Sequence, residues 1–218
     1  TQASGCVVGI DSFQANLPAI NPNPLVAPIT NSFLITTNDL CPWTATIDPN
    51  PENDWLSLTD PSTGLSTGNP VSGIGIQQIT YDAPPNFGPA RTAIITVGNI
   101  FHVVTQESGC AFESVSVAGT GASGTTVDAP IEADTTYTVT VDVTDNQTVT
   151  PGIVEEDCTW TVETSSPAWI VLSATSGSGD DTFTFDVLEN TSVPRSGTVT
   201  VSTDTETIVI VVNQGNGC

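Results

Sequence analysis

Apolar and polar residues alternate along several stretches of this chain. In Thr136–Val143 the Tyr and three Val fall on one side, and the Thr and Asp on the other. A period of two describes a strand with one buried face and one wet face. Thr182–Val187, Thr198–Val201 and Thr207–Val212 are β-branched and alternate in the same way. Thr92–Val97 and Phe101–Thr105 flank Gly98-Asn99, which predicts a hairpin. A matching turn falls near Thr203-Asp204-Thr205. Almost no helix is expected. Short strands broken by turn signals, about seven per hundred residues, predict a β-sandwich.

The pattern occurs twice. Cys41-Pro42-Trp43-Thr44 returns as Cys158-Thr159-Trp160-Thr161, and Trp55-Leu56 as Trp169-Ile170. Ser72-Gly73-Ile74-Gly75 returns as Ser176-Gly177-Ser178-Gly179. Ile79-Thr80-Tyr81-Asp82 returns as Phe183-Thr184-Phe185-Asp186, and the strand opened by Arg91 as the one opened by Arg195. Both copies close on a Gln and then Gly-Cys, at Gln106 and Gly109-Cys110, then at Gln214 and Gly217-Cys218. The conserved order implies one folding unit duplicated. The expected fold class is all-β, two tandem immunoglobulin-like sandwiches, with domains at 1–108 and 109–218. The linker around Glu107-Ser108-Gly109-Cys110 is short enough to predict a rather stiff rod. The first copy adds irregular sequence: Leu17–Pro28 holds four Pro, which a central strand excludes. Asp48–Asp54 and Ala83–Pro89 are also longer than their counterparts, and Gly119–Gly124 and Asn146–Glu156 read as loops of the second copy.

Charge narrows the partners. The chain has 24 acids against two Arg and no Lys, a net charge of -22. Nothing here neutralises phosphates, so neither nucleic acid nor an anionic membrane surface is expected as a partner. No stretch approaches the roughly 20 apolar residues of a membrane span. The absence of Met suggests a mature form that begins after signal removal. Such acidity fits a soluble surface in a salty or extracellular medium, calcium held by clustered carboxylates, or an acidic face for a basic partner.

The five Cys suggest an oxidising compartment. Each copy has one Cys at its start and one before its Trp-Thr. The natural pairs are Cys6 with Cys41 and Cys110 with Cys158. Cys218 is left where a third copy would open, available for a bond between subunits. With no close Cys pair and one His, zinc is not expected.

The ordered set of Cys-x-Trp-Thr, Trp-Ile/Leu, Ser-Gly-x-Gly, an aromatic-Thr strand, Arg-Ser-Gly-Thr-Val-Thr-Val and a closing Val-x-Gln resembles the BACON domain. The resemblance covers roughly 6–108 and 110–216. It is fuller in the second copy, through Cys158, Trp160, Trp169, Gly177, Gly179, Asn190, Arg195, Gly197 and Gln214. The first copy departs where Ala93 stands for Gly197 and where loops are inserted. The resemblance implies an immunoglobulin-like sandwich of bacterial surface, secreted or phage proteins, with carbohydrate or mucin binding associated by context. It also implies a cross-link between the first strand and the Cys-x-Trp strand.

Candidate chemistry is sparse. Trp43, Trp55, Trp160 and Trp169 recur in place, which favours packing over sugar stacking. Trp43, Phe87 and Phe101 remain as candidate platforms. Arg91 and Arg195 should tie a loop through carboxylates or carbonyls. His102 is expected at the surface or half-buried on its strand, without a nucleophile partner. Asp180, Asp181, Glu155, Glu156, Asp157 and Asp48–Asp54 are the calcium candidates, none with the spacing of a calcium loop. No other cofactor is expected. Asn146-Gln147-Thr148 and Asn190-Thr191-Ser192 match the glycosylation sequon. The chain is therefore expected to be no enzyme but an extracellular, self-associating structural protein, a subunit of a surface fibre, pilus-like filament or array. The alternative is a carbohydrate-binding adhesion module of a secreted or phage protein.

Overall fold

The computed structural model describes residues 5–19, 28–38, 40–48, 55–132, 134–144 and 158–217. These residues form strands and no helix. They divide into two compact units, residues 5–109 and residues 110–144 with 158–217.

The first unit has ten strands: β1 (Val8–Ile10), β2 (Gln14–Leu17), β3 (Ile29–Thr37), β4 (Pro42–Ile47), β5 (Ser57–Thr59), β6 (Ser66–Gly68), β7 (Val71–Ile74), β8 (Gln77–Ala83), β9 (Arg91–Val97) and β10 (Ile100–Gln106). One sheet runs β1-β3-β8-β5-β6 and the other β2-β10-β9-β4-β7. Phe33, Ile35, Leu58, Ile79 and Tyr81 of the first sheet share one core with Trp43, Ala45, Ile95, Val97 and Val104 of the second. Two sheets that bury facing alternate positions make a sandwich. The chain crosses between the sheets at its start, where β1 pairs antiparallel with β3 and β2 pairs parallel with β10.

The second unit repeats the design with β11 (Phe112–Ala118), β12 (Ala122–Ser123), β13 (Thr126–Ala129), β14 (Thr135–Val143), β15 (Thr159–Thr164), β16 (Ile170–Leu172), β17 (Ser176–Ser178), β18 (Asp181–Val187), β19 (Arg195–Ser202) and β20 (Thr207–Gln214). Its sheets run β11-β14-β18-β16 and β12-β13-β20-β19-β15-β17. The same crossover recurs, with β13 parallel to β20. In β14 the alternation is as expected: Tyr137, Val139, Val141 and Val143 are buried between partly or fully exposed Thr and Asp. The turn Gly98-Asn99 joins β9 to β10 in an antiparallel pair, as the sequence predicts. Gly119–Gly124 is not wholly loop, because Ala122–Ser123 pair with β13.

Two of the repeated motifs are one structural device. Trp43 and Trp160 lie in the cores, and each indole N–H donates to a carbonyl of the Ser-Gly-x-Gly segment: Trp43 to Gly75 at 2.9 Å, Trp160 to Gly179 at 3.1 Å. A Cβ on Gly73 would sit 2.2 Å from the Trp43 ring, and one on Gly177 would sit 2.1 Å from the Trp160 ring. The indole needs a glycine beneath it, so Cys-x-Trp and Ser-Gly-x-Gly recur together.

Candidate functional site

The polar residues repeated in both copies gather at one end of each sandwich. In the second unit, Arg195 opens β19 opposite Gln214 at the end of β20. Its Nε donates to Gln214 Oε1 at 2.8 Å, and its Nη2 donates to the carbonyls of Leu188 and Glu189 at 2.5 and 3.0 Å. The guanidinium lies over the Trp169 ring, 4.5 Å from its centroid. Gln214 Nε2 in turn donates to the carbonyls of Pro130 and Leu188. The first unit repeats each contact. Arg91 Nε donates to Gln106 Oε1 at 2.9 Å, Nη2 donates to Pro84 O at 3.1 Å, and the guanidinium lies 4.5 Å above Trp55. Both Arg hold loop carbonyls and an amide oxygen, which is the loop-tying role expected of them. A planar cation with several donors suits this task, since unpaired loop carbonyls would otherwise be partly buried.

Beside each Arg an Asn closes the same corner. Asn190 is buried, 3% exposed. Its Nδ2 donates to Val193 O and Gly215 O, and its Oδ1 accepts from Ser192 N–H. Asn86 does the same with Pro89 O, Glu107 O and Gly88 N–H. The sequon at Asn190 is thus occupied by packing, because an amide with both donor directions used inside the fold presents no acceptor nitrogen for a glycan. The sequon at Asn146 lies outside the described residues. Gly109 and Gly217 complete the corner. A Cβ there would lie 1.9 Å from Asn86 O or 1.6 Å from Asn190 O.

An open cleft of about 490 Å³ adjoins Arg195, lined by Asp128, Pro194, Arg195, Ser196, Asn213 and Gln214 among others. Ser196 Oγ donates to Asn213 Oδ1 at 3.0 Å, and Asn213 Nδ2 donates to Asp128 Oδ1 at 3.2 Å. The cleft wall sets these hydrogen-bonding groups beside Ala129, Pro194 and Gly215.

The other candidates fall as follows. Cys6 is joined to Cys41 and Cys110 to Cys158, with Cα–Cα distances of 5.6 and 5.5 Å. Cys218 lies outside the described residues, as do Glu155, Glu156, Asp157 and 49–54. Asp180 Oδ1 accepts from Val143 N–H, and Asp181 Oδ1 accepts from Thr182 N–H. Among the described residues no three His, Cys, Asp or Glu converge in a way that could hold a metal ion. No helix there is long and apolar enough to cross a membrane.

Two expectations are corrected. Trp43 is no platform: it is 4% exposed, because its position alternates inward with Ala45 and Ile47 on β4. Phe101 is exposed and Phe87 half-buried. His102 is neither surface nor half-buried; it is 1% exposed. It points inward with Val104 and Gln106, in the phase that puts Ile210 inside the second unit. Its ring stacks on Phe33 at 4.5 Å. Nδ1 must donate to Ser12 O, 2.8 Å away, since a carbonyl only accepts, which leaves Nε2 to accept from Tyr81 O–H at 3.1 Å. Both nitrogens are satisfied, so a neutral imidazole is at home in the core. The signal for its burial was in the sequence: it keeps register with Gln106, two inward positions away.

Residues 159–215 match the model of the BACON family, described as "Putative binding domain, N-terminal". The match lies within the second unit, which shares its architecture with the first. No curated protein matches the chain. Among solved structures, the chain is similar to a Bacteroides ovatus GH5 xyloglucanase in complex with a XXXG heptasaccharide (25% identity, 47% of this chain, 19% of that chain, TM-score 0.35). It is also similar to domains 4 and 5 of the S-layer protein SbsC (18% identity, 73% of this chain, 75% of that chain, TM-score 0.31). A third is the D00-D0 domain of Intimin (12% identity, 95% of this chain, 96% of that chain, TM-score 0.31). Scores this low carry no functional argument. The chain spans about a fifth of the xyloglucanase.

Proposed function

We propose that this chain is a non-enzymatic extracellular structural protein, two β-sandwich domains at 1–108 and 109–218 that self-associate into a surface fibre or array. The observation that carries this reading is the duplication itself. The residues kept in both copies, Arg91 and Arg195, Asn86 and Asn190, Gln106 and Gln214, Gly109 and Gly217, are all spent on closing one end of a sandwich. Repetition of a sealed module extends reach without adding a reaction centre. Disulfides in each unit support an oxidising, extracellular setting. A bond from Cys218 to another subunit, or calcium at the acidic loops, would add to the same assembly.

The cleft beside Arg195 favours a second reading, a glycan-binding adhesion module. The match of residues 159–215 to a binding-domain family supports it equally. Electron microscopy of the purified chain separates the two. Ordered filaments or sheets favour the structural reading. Dispersed monomers that bind glycans on an array, with binding lost in Asn213→Ala, favour the other.

A further inference from the structure

The two units are copies, so each position of one has a control in the other. At one end of the first unit's β2-β10-β9-β4-β7 sheet, apolar residues are exposed where the second copy is polar or acidic. Leu40 aligns with Asp157, Pro42 with Thr159, Ile74 with Ser178, Ile76 with Asp180, and Phe13 with Thr125. Phe101 aligns with the smaller Val209. None of the six is buried: Leu40 is 83% exposed, Ile76 62% and Phe101 56%.

The strands bring four of them together. Pro42 pairs with Ile74 across β4 and β7, and Gly75 N–H donates to Cys41 O, so Leu40 and Ile76 flank that pair. Phe101 lies on the same outer face, with Thr96 of β9 between it and Thr46 of β4. Phe13, also exposed, keeps the phase of the inward Ala15 and Leu17 and so stands at the sandwich edge, not on this outer face. The outward residues of these five strands include no Asp or Glu among the described residues. The equivalent sheet of the second unit carries Asp128 and Glu163 outward. Asp39, next to Leu40 in sequence, lies outside the described residues, and Asp11 accepts a hydrogen bond from Leu34 N–H.

An exposed aliphatic cluster on a chain of net charge -22 has a cost in water and needs a reason. A basic partner would be drawn to carboxylates, and the outward strand residues of this sheet include none among the described residues. A sugar would need hydrogen-bonding groups, and none of the four side chains Leu40, Pro42, Ile74 and Ile76 supplies one. A second copy of this chain faces the opposite constraint. Two such polyanions repel everywhere except where neither presents an acid, and this cluster is such a place on both. We infer that the Leu40–Pro42–Ile74–Ile76 cluster of the first unit, extended by Phe101, is the surface by which it pairs with the same surface of a second copy. The contact is two-fold, each cluster burying the other. It deepens the self-assembly reading and rests on it, supplying one of the contacts a filament requires.

The test compares the full chain with Leu40→Asp/Ile76→Asp, which writes in the residues the second copy carries at those positions. A milder variant, Pro42→Thr/Ile74→Ser, does the same at the centre of the cluster. Sedimentation equilibrium in 0.5 M NaCl should show the parent chain rising with concentration to at least twice its monomer mass. Both variants, checked for an unchanged unfolding profile, should associate at least tenfold more weakly. Association of the variants at the parent's strength would overturn the surface while leaving self-assembly standing. A parent chain that stays monomeric, whether or not it binds glycans, would overturn both.

Discussion

Arg195 lies over Trp169, 4.5 Å from the ring centroid, while holding the carbonyls of the loop that follows β18. The pair fixes that loop against the last strand through Gln214. Arg195→Ala removes three hydrogen bonds and a cation–π contact, so the second unit should lose about 2–4 kcal/mol of stability. Arg195→Lys should recover less than half of that, because an ammonium cannot fork across Gln214 and two carbonyls. Denaturant unfolding followed by Trp fluorescence measures both. A loss below about 0.5 kcal/mol for the Ala variant would free Arg195 for a ligand role, that being the usual scale for unconstrained surface changes.

His102 makes the first unit sensitive to acid. Burial holds its imidazole below the ordinary 6.5, against the Ser12 carbonyl and the Asp11 carboxylate, which favour the cation. Tyr81, which donates to it, is pushed up by burial and stays a phenol. A lowered histidine stabilises the fold fully above the unfolded value of 6.5. That contribution is lost as pH falls below 6.5 toward the lower folded value. Thermal unfolding at pH 7.5 and 5 should therefore show the first unit weakening. Tyr81→Phe/His102→Ile installs the residues aligned in the second unit, Phe185 and Ile210, and should flatten this dependence, at a cost of about 1–3 kcal/mol for the Ser12 carbonyl left without its donor.

The corner glycines should be intolerant of a methyl group. Gly109→Ala places a Cβ against Asn86 O, and Gly217→Ala one against Asn190 O. Each should cost its own unit about 1–3 kcal/mol, the range for overpacking. Calorimetry that resolves the two transitions would show which one shifts. A shift of the wrong unit, or of neither, would contradict the corner geometry.

Each disulfide pins the first strand of its unit. Sequence separations of 35 and 48 residues give about 4 kcal/mol at best by loop entropy. Peptide mapping without reductant should recover Cys6–Cys41 and Cys110–Cys158. A Cys41–Cys158 peptide would contradict the two-unit arrangement.

Much of this was legible in the sequence because strands announce themselves by alternation. Tyr137 through Val143 and the turn at Gly98-Asn99 were readable on that ground alone. The duplicate copies also aligned Trp43 with Trp160 and favoured packing for both, though Trp43 stayed among the candidate platforms until its inward phase on β4 was seen. What stayed hidden depends on phase and long-range pairing. His102 looked like a surface residue because polarity was weighed before its place two residues from Val104 and four from Gln106. Asn190 looked like a glycan acceptor because its partners, Val193 and Gly215, meet only when the corner closes. The apolar end around Leu40 and Ile76 appears only when a folded outer face is compared between copies.

The central claim is that copies of this polyanion assemble through contacts free of carboxylates. The screening length falls from about 30 Å at 0.01 M salt to about 3 Å at 1 M. Light scattering of the purified chain across that range measures the claim directly. The account predicts monomers at 0.01 M and a rise in mass toward ordered assemblies as salt increases. A mass that stays at 22.5 kDa at every salt concentration would contradict it.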